Sequence, residues 1–188
     1  MSFTVRVAQP RDVADLVDVL SNSFHPRVGP MRLLLPLLRM GVYEDLRYRL
    51  RSSQLSEYIC LVAIATAPEE TVNHSTLVGT VEVTLRSNSP FQLRSLPYPY
   101  LSNLAVRTEA RRQGVAQRLL TACERMASER GFHELYLHVL ENNHAAMQLY
   151  FKAGYELRQA DTFWWCCLFN QPRKLLLYKR LAFPHPSN

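Results

Sequence analysis

Strand, loop and helix follow one another in Leu101-Ser-Asn-Leu-Ala-Val-Arg-Thr-Glu-Ala-Arg-Arg-Gln-Gly-Val-Ala-Gln-Arg-Leu-Leu120, the most informative stretch of this chain. The apolar run from Tyr100 to Val106 predicts a β-strand, and a short basic loop with one glycine separates it from an amphipathic helix. Such a loop leaves several main-chain N–H groups pointing to one spot, at the positive end of the helix dipole. The stretch therefore predicts a binding site for a phosphate anion.

The strand before this loop predicts a second kind of contact. Its main-chain groups at Leu104, Ala105 and Val106 can hydrogen-bond an extended ligand, as an edge strand binds a peptide. A ligand that joins an amide-bearing arm to a diphosphate fits both the strand and the loop. Coenzyme A is a ligand of this kind.

The loop also carries a family signature. Its residues Arg111-Arg-Gln-Gly-Val-Ala116 resemble the R/Q-x-x-G-x-G/A motif of the GCN5-related N-acetyltransferases (GNAT), in a form that ends in alanine. This resemblance implies that acetyl-CoA is the cosubstrate. It also implies cofactor contacts from Arg111, Arg112, Gln113, Gly114, Val115, Ala116 and Gln117.

A second segment, Asn143-His-Ala-Ala-Met-Gln-Leu-Tyr-Phe-Lys-Ala-Gly-Tyr155, resembles the N-x-x-A-x-x-L-Y-x-x-x-G-F/Y pattern of the same family. The resemblance implies that Asn143 contacts the pantetheine arm and that the Tyr150 hydroxyl protonates the departing thiolate. The two residues are about two helical turns apart, so their side chains lie on one face of a predicted helix. The alternative is that Tyr150 is a core aromatic residue and Asn143 a plain helix cap.

Acylation of an amine also requires a base that takes a proton from the ammonium group, and histidine is the usual candidate. His138 lies on the predicted strand before Asn143. Its position resembles that of the glutamate that acts as general base in bacterial ribosomal-protein acetyltransferases. It also resembles that of a histidine in the eukaryotic NatE catalytic subunit. That subunit also has a tyrosine that matches Tyr100. The resemblance implies that His138 and Tyr100, on neighbouring strands, hold a water that relays the proton.

Three candidates for the base remain open at this point: His138, Glu82 and water. If His138 is only a half-buried histidine beside a packing Tyr100, then Glu82 or water is the base. Glu82 lies between Val81 and Val83, so it faces away from them, toward an acceptor groove or toward solvent. Direct attack on the thioester in a ternary complex is expected, since the sequence contains no Gly-x-Ser-x-Gly elbow and its cysteines lack basic neighbours.

The order of predicted elements is β-α-α-β-β-β-α-β-α-β-β, which resembles the GNAT fold along nearly the whole chain. We expect an α/β (α+β) fold with one mixed central sheet of about seven strands, about four flanking helices, and splayed central strands. The predicted helices begin near residues 10, 31, 115 and 143, and Pro36 is expected to kink or break the second. The predicted strands cover residues 3–7, 59–65, 77–85, 100–106, 134–140, 155–157 and 174–181.

Size and charge bound the remaining classes. A chain of 188 residues suits a single domain over residues 1–188, and its net charge of 22 − 16 = +6 favours a polyanionic partner such as coenzyme A. Nucleic acid is not expected, because the basic residues are scattered. The cysteines have no zinc-type spacing, so we expect no metal. No secretory signal and no membrane-spanning run is visible, so a soluble protein of the cytoplasm is expected, or of the plastid stroma if the chain is a trimmed mature form.

The sequence thus predicts an acetyl-CoA-dependent N-acetyltransferase, acting on a protein N-terminal α-amine or a lysine ε-amine. A small-molecule enzyme, for an arylalkylamine or a polyamine, is the main alternative, and a non-catalytic acyl-CoA sensor is a further one. Acceptor choice is expected to come from the helices at 31–50, the loop at 87–99 and the Trp164-Trp165 loop. Monomer and homodimer are both compatible with the sequence.

Overall fold

The computed structural model describes residues 2–24, 35–52, 57–66, 76–87, 96–160 and 172–182, with side chains except at 24, 35–39, 51 and 52. The strands are Ser2–Val7 (β1), Tyr58–Thr66 (β2), Thr76–Arg86 (β3), Tyr98–Val106 (β4), Glu134–Leu140 (β5), Glu156–Ala160 (β6) and Lys174–Arg180 (β7). The helices are Val13–Phe24 (α1), Leu35–Ser52 (α2), Val115–Glu129 (α3) and His144–Lys152 (α4).

Seven strands form one sheet in the order β1-β2-β3-β4-β5-β7-β6. β1 pairs antiparallel with β2, β5 with β7, and β6 with β7, whereas β4 and β5 are parallel. The parallel ladder covers only Tyr100 beside Tyr136 and Leu101 beside Leu137, so the two strands separate beyond it. The predicted mixed seven-stranded sheet, four helices and splayed central strands are confirmed.

The chain divides into two compact units. The first unit is Met1–Glu82 with Asn103–Leu119, and the second is Val83–Ser102 with Leu120–Asn188. Both units thus contain two separate stretches of the chain, and β3, β4 and α3 each contribute residues to both. A single domain over residues 1–188 stays a prediction.

The core of the first unit comes from the helical stripe of α1. Val13, Leu16, Val17 and Leu20 are buried against apolar residues of α2, β2 and β3. A single 3₁₀ turn, Pro10–Asp12, precedes the helix. Its Asp12 carboxylate accepts hydrogen bonds from the Gln9 N–H and from both terminal nitrogens of the Arg6 guanidinium. Because Asp12 is buried, this bidentate pair ties β1 to the start of α1.

The second unit is organised around β5, whose side chains alternate in burial. Leu135, Leu137 and Val139 are buried, whereas Tyr136 and His138 lie on the more accessible face. This is the alternation that the sequence predicted for Tyr136, His138 and Leu140. Helices α3 and α4 are each followed by a glycine with positive φ, as predicted: Gly131 (82°) and Gly154 (86°).

The second predicted helix is described as α2, Leu35–Ser52, with Pro36 as its second described residue. The kink or break predicted at Pro36 stays a prediction, because the residues just before Leu35 lie outside the described ranges. The start predicted at 31, most of the loop at 87–99 and the Trp164-Trp165 loop lie outside the described residues. Within the described ranges, no helix combines the length and the apolar character needed to cross a bilayer.

Candidate active site

The loop that precedes α3 lies in the first unit and is exposed from Arg111 to Gly114. Arg112 and Gly114 have positive φ values, 64° and 81°, so left-handed residues flank Gln113. Within the described part of the chain, no main-chain carbonyl accepts the N–H groups of residues 112–116. Unpaired donors at the start of a helix bind anions, since the helix dipole adds partial positive charge.

The side chains of this loop add formal charge. Arg111 donates from Nε to the Val106 carbonyl, and Gln113 donates from Nε2 to the Glu109 carbonyl. Neither Arg111 nor Arg112 forms an ion pair with a described acidic residue. Two exposed guanidinium groups, together with N–H groups that no described main-chain carbonyl accepts, give this loop the positive charge and the donors that bind anions.

A glycine in β3 sets how closely α3 approaches the strands of the first unit. A Cβ atom on Gly79 would lie 3.1 Å from the Ala105 carbonyl oxygen and 3.1 Å from Cγ1 of Val115. A Cβ atom at position 79 would therefore require the first turn of α3 to move away from β3 and β4 by a few tenths of an ångström. The sequence analysis missed this residue, although an isolated glycine inside a strand is a known sign of close backbone approach.

Asn103 interrupts β4 with φ 53°, a left-handed value that a regular strand does not contain. The alternation that predicted Tyr100, Ser102 and Leu104 on one face therefore does not continue through this residue. Leu104 and Val106 are half-buried and Ala105 is buried. Their predicted main-chain contacts with a cofactor stay a prediction.

Glu82 is buried, so the expectation of a solvated strand face was wrong. Its side chain is 1% exposed, and Oε2 lies 3.4 Å from Nη1 of Arg49, which reaches it from α2. Burial raises the pKa of the carboxyl group, although the Asn103 side chain and Arg49 act to lower it. The Tyr58 hydroxyl is also buried near this group, and burial raises its pKa. The alternation of β3 did place Glu82 opposite Val81, but α2 covers that face.

In the second unit, Tyr100 and His138 meet directly. The Tyr100 hydroxyl lies 2.9 Å from Nδ1 of His138, and their ring centroids are 5.7 Å apart. The two residues are not opposite each other in the ladder, since Tyr100 pairs with Tyr136, so the contact is diagonal. The phenol and the imidazole are thus in direct hydrogen-bond contact, and the relay water expected at this pair stays a prediction.

Arg86 is a further residue of this site that the sequence analysis did not identify. Its guanidinium carbon lies 3.3 Å from the centroid of the Tyr100 ring, a stacked cation–π contact. Burial raises the pKa of the Tyr100 phenol, and the positive charge of Arg86 and the contact with His138 oppose that rise. No local pattern signals this contact, because Arg86 stands at the end of β3 and Tyr100 on the next strand.

Tyr150 lies in α4, where its side chain is buried against Tyr155 with ring centroids 5.8 Å apart. Burial, and secondly the nearby Tyr100 phenol, raises the pKa of Tyr150 to about 12. A phenol with this pKa keeps its proton at neutral pH and can donate it to a developing anion. Among the described residues, none forms a hydrogen bond with the Tyr150 hydroxyl.

Asn143 is the N-cap of α4, because its Oδ1 accepts a hydrogen bond from the Ala146 N–H at 3.2 Å. This is the role that the sequence analysis held as the alternative. The amide nitrogen of the same exposed side chain is a separate donor. The predicted contact with a pantetheine arm therefore stays a prediction beside the observed cap.

The two described cysteines, Cys60 and Cys123, are buried and form no disulfide bond. Burial raises the pKa of Cys60 to about 12, which makes it a poor nucleophile. Within the described ranges, no group of three or more His, Cys, Asp and Glu residues is placed to hold a metal ion.

Comparison with known proteins identifies the family of this chain. The model of the Acetyltransferase (GNAT) family matches residues 33–155. The chain belongs to this family. GCN5-related N-acetyltransferase 10, chloroplastic, of Arabidopsis thaliana is 37% identical over 145 residues, which are 75% of this chain and 56% of that relative. The chain thus spans little more than half the length of this GNAT relative.

Solved GNAT structures have the same fold. PaiA N-acetyltransferase from Thermoplasma acidophilum, in complex with coenzyme A, superposes with a TM-score of 0.70 at 19% identity, covering 96% of this chain and 99% of that one. Arabidopsis thaliana NAA60, in complex with a bisubstrate analogue, superposes with a TM-score of 0.68 at 16% identity, covering 97% and 100%. At these identities the likeness shows the fold alone, and it confirms the predicted one.

Proposed function

We propose that this chain is an N-acetyltransferase that moves the acetyl group of acetyl-CoA to a primary amine, either a protein N-terminal α-amine or a lysine ε-amine. The observation that carries the proposal is the 2.9 Å contact between the Tyr100 hydroxyl and Nδ1 of His138. It joins a phenol that can relay a proton to an imidazole that can accept one, on the strand pair that separates beyond Leu101 and Leu137. Family membership supplies the reaction class.

The residues of the loop before α3 hold the cosubstrate in this proposal. The free N–H groups of residues 112–116, with the exposed Arg111 and Arg112, match the charge and the donor preference of a diphosphate. Bound acetyl-CoA would supply an activated thioester. The crystallised relative PaiA is in complex with coenzyme A, which supports this choice of cosubstrate.

Two proton transfers are needed in this reaction, and three side chains carry them in this proposal. The ammonium group of the acceptor loses a proton before its nitrogen can form the new C–N bond. Tyr100 receives that proton and passes its own to Nδ1 of His138 through their hydrogen bond. Tyr150, whose pKa is raised to about 12, donates its proton to the sulfur as the C–S bond breaks.

A protein or peptide acceptor is preferred over a small amine in this proposal. NAA60, which shares the fold, was crystallised with a bisubstrate analogue, and the NatC complex, which also shares it, with a peptide. Cytoplasm and plastid stroma stay predictions for the location, and the name of the Arabidopsis relative contains the word chloroplastic. Monomer and homodimer stay open.

The test is an acceptor screen. Release of the coenzyme A thiol is measured with acetyl-CoA and four acceptors: a peptide with a free N-terminus, an N-blocked peptide with one lysine, an arylalkylamine and a polyamine. We expect one of the two peptides to be the fastest acceptor, and His138→Ala to abolish most of its turnover. Turnover on small amines alone contradicts the peptide acceptor, and binding of acetyl-CoA without turnover on any acceptor indicates a sensor.

A further inference from the structure

Arg86 has an unusual position for an exposed arginine. Its side chain is accessible at the end of β3, yet its guanidinium group lies over Tyr100, with the central carbon 3.3 Å from the ring centroid. Tyr100 is in turn hydrogen-bonded to His138. A fixed positive charge therefore stands beside the pair of side chains that receives the proton of the acceptor.

This charge is not neutralised within the described part of the chain. Other arginines of the second unit have acidic partners there, such as Arg125 with Glu129 and Arg173 with Glu141. Arg86 forms no ion pair with a described acidic residue. Glu134, a carboxylate on the neighbouring strand β5, accepts a hydrogen bond from the Tyr136 hydroxyl instead.

The contact with Tyr100 does not use all of the hydrogen-bonding capacity of Arg86. A guanidinium group has five N–H donors, so Arg86 can contact the phenol and also bind a carboxylate. The same charge repels a second cation on the acceptor. An acceptor therefore binds more tightly if a carboxylate lies near its reactive amine, and more weakly if a second ammonium group lies there.

We propose that Arg86 is a specificity-determining residue that selects acceptors with a carboxylate close to the reactive amine, such as a peptide with an acidic residue at position two. This inference rests on the proposed function, because it concerns the acceptor of that reaction. It predicts that acidic N-terminal sequences are preferred and that polyamines are poor acceptors.

The experiment uses three peptides with a free N-terminus that differ only at position two, as glutamate, glutamine or lysine. For the unmodified chain, kcat/KM for the glutamate peptide is expected to exceed that for the lysine peptide about fivefold, the size of a solvent-accessible ion pair. The ratio is expected to shrink at high ionic strength. Arg86→Gln is expected to bring it near one, and Arg86→Glu to invert it.

Arg125→Glu is the matched control, because it makes the same change in net charge on an exposed arginine that has no contact with Tyr100 or His138. Its peptide ratio is expected to equal that of the unmodified chain. An unchanged ratio in both Arg86 variants overturns the selection by Arg86, and so does an equal loss of activity on all three peptides, which indicates a role in positioning Tyr100 alone. Absence of thiol release with every peptide overturns the proposed function itself.

Discussion

The Tyr100 hydroxyl donates to, or accepts from, Nδ1 of His138 across 2.9 Å, although 38 positions of sequence separate the two residues. The parallel ladder of β4 and β5 brings them together, because it aligns Tyr100 with Tyr136, and His138 follows two residues later on the same face of β5. In the proposed mechanism these two side chains act as one unit in proton transfer. Their mutational effects are therefore expected to be non-additive.

Tyr100→Phe and His138→Ala each remove one member of this pair. Each is expected to lower kcat by roughly a hundredfold, the lower range for a general acid–base group. The double variant is expected to be little worse than His138→Ala alone. Steady-state kinetics with a peptide acceptor, measured from pH 6 to pH 9, also test whether His138→Ala alters the pH profile.

Tyr48→Phe is the matched control for Tyr100→Phe, because Tyr48 is an exposed tyrosine of α2. Its kcat is expected to be unchanged. If Tyr100→Phe and His138→Ala multiply in the double variant, the two side chains act independently. An unaltered pH profile in His138→Ala assigns the base to Glu82 or to water.

Tyr150→Phe removes the proposed acid and keeps the buried ring. Turnover is expected to fall by roughly a hundredfold, since general acids contribute at least that much. The affinity for coenzyme A, measured by calorimetry, is expected to stay nearly constant. A large loss of affinity with little loss of kcat would assign Tyr150 a packing role against Tyr155.

Gly114 tests the anion site, because its φ of 81° is strained for any residue with a Cβ atom, while a Cβ would meet open space. Gly114→Ala is expected to lower the free energy of unfolding by about 1 kcal/mol. Gly114→Asp is expected to weaken coenzyme A binding much further, because its carboxylate faces the diphosphate. Gly41→Ala, an exposed position of α2 with nothing nearby, is the control and is expected to stabilise by about 0.5 kcal/mol. Equal coenzyme A affinity in Gly114→Asp and Gly41→Ala removes the loop from the site.

The pairing of Asp12 with Arg6 is expected to make the free energy of unfolding depend on pH. Its hydrogen bonds with Arg6 lower the pKa of the carboxyl below its ordinary value of 3.8. A lowered folded-state pKa means that the stabilisation is present above pH 3.8 and is lost as the pH falls through the folded value. Asp12→Asn is expected to lower the free energy of unfolding by roughly 2 kcal/mol at pH 7.

Urea unfolding at pH 7 and near pH 3 measures this difference. The two proteins are expected to converge on acidification, because protonated Asp12 no longer pairs with Arg6 as an ion. A difference that stays constant over this range shows that the ion pair with Arg6 contributes nothing. Asp15→Asn, at an exposed position of α1, is the matched control.

Much of the architecture was predictable because its signals are local. The alternation of Glu134–Leu140 and the apolar spacing of α1 depend only on neighbouring residues, and both elements form as predicted. Gly131 and Gly154 mark helix ends for the same reason, since their positive φ values suit a residue without a side chain. The basic loop with Gly114 and the segment from Asn143 to Tyr155 indicate the family from the sequence alone.

Other features arise only when distant parts of the chain pack together. The strand pairing brings Tyr100 to His138, α2 covers Glu82, and the stacking of Arg86 on Tyr100 joins two strands. A periodicity of two assigns a side chain to a face, but it carries no information about which element will cover that face or which partner stands beside it. The sequence alone identified Tyr100 and His138 as candidate site residues. Their contacts and the charges around them are determined by the packing of strands that are distant in sequence.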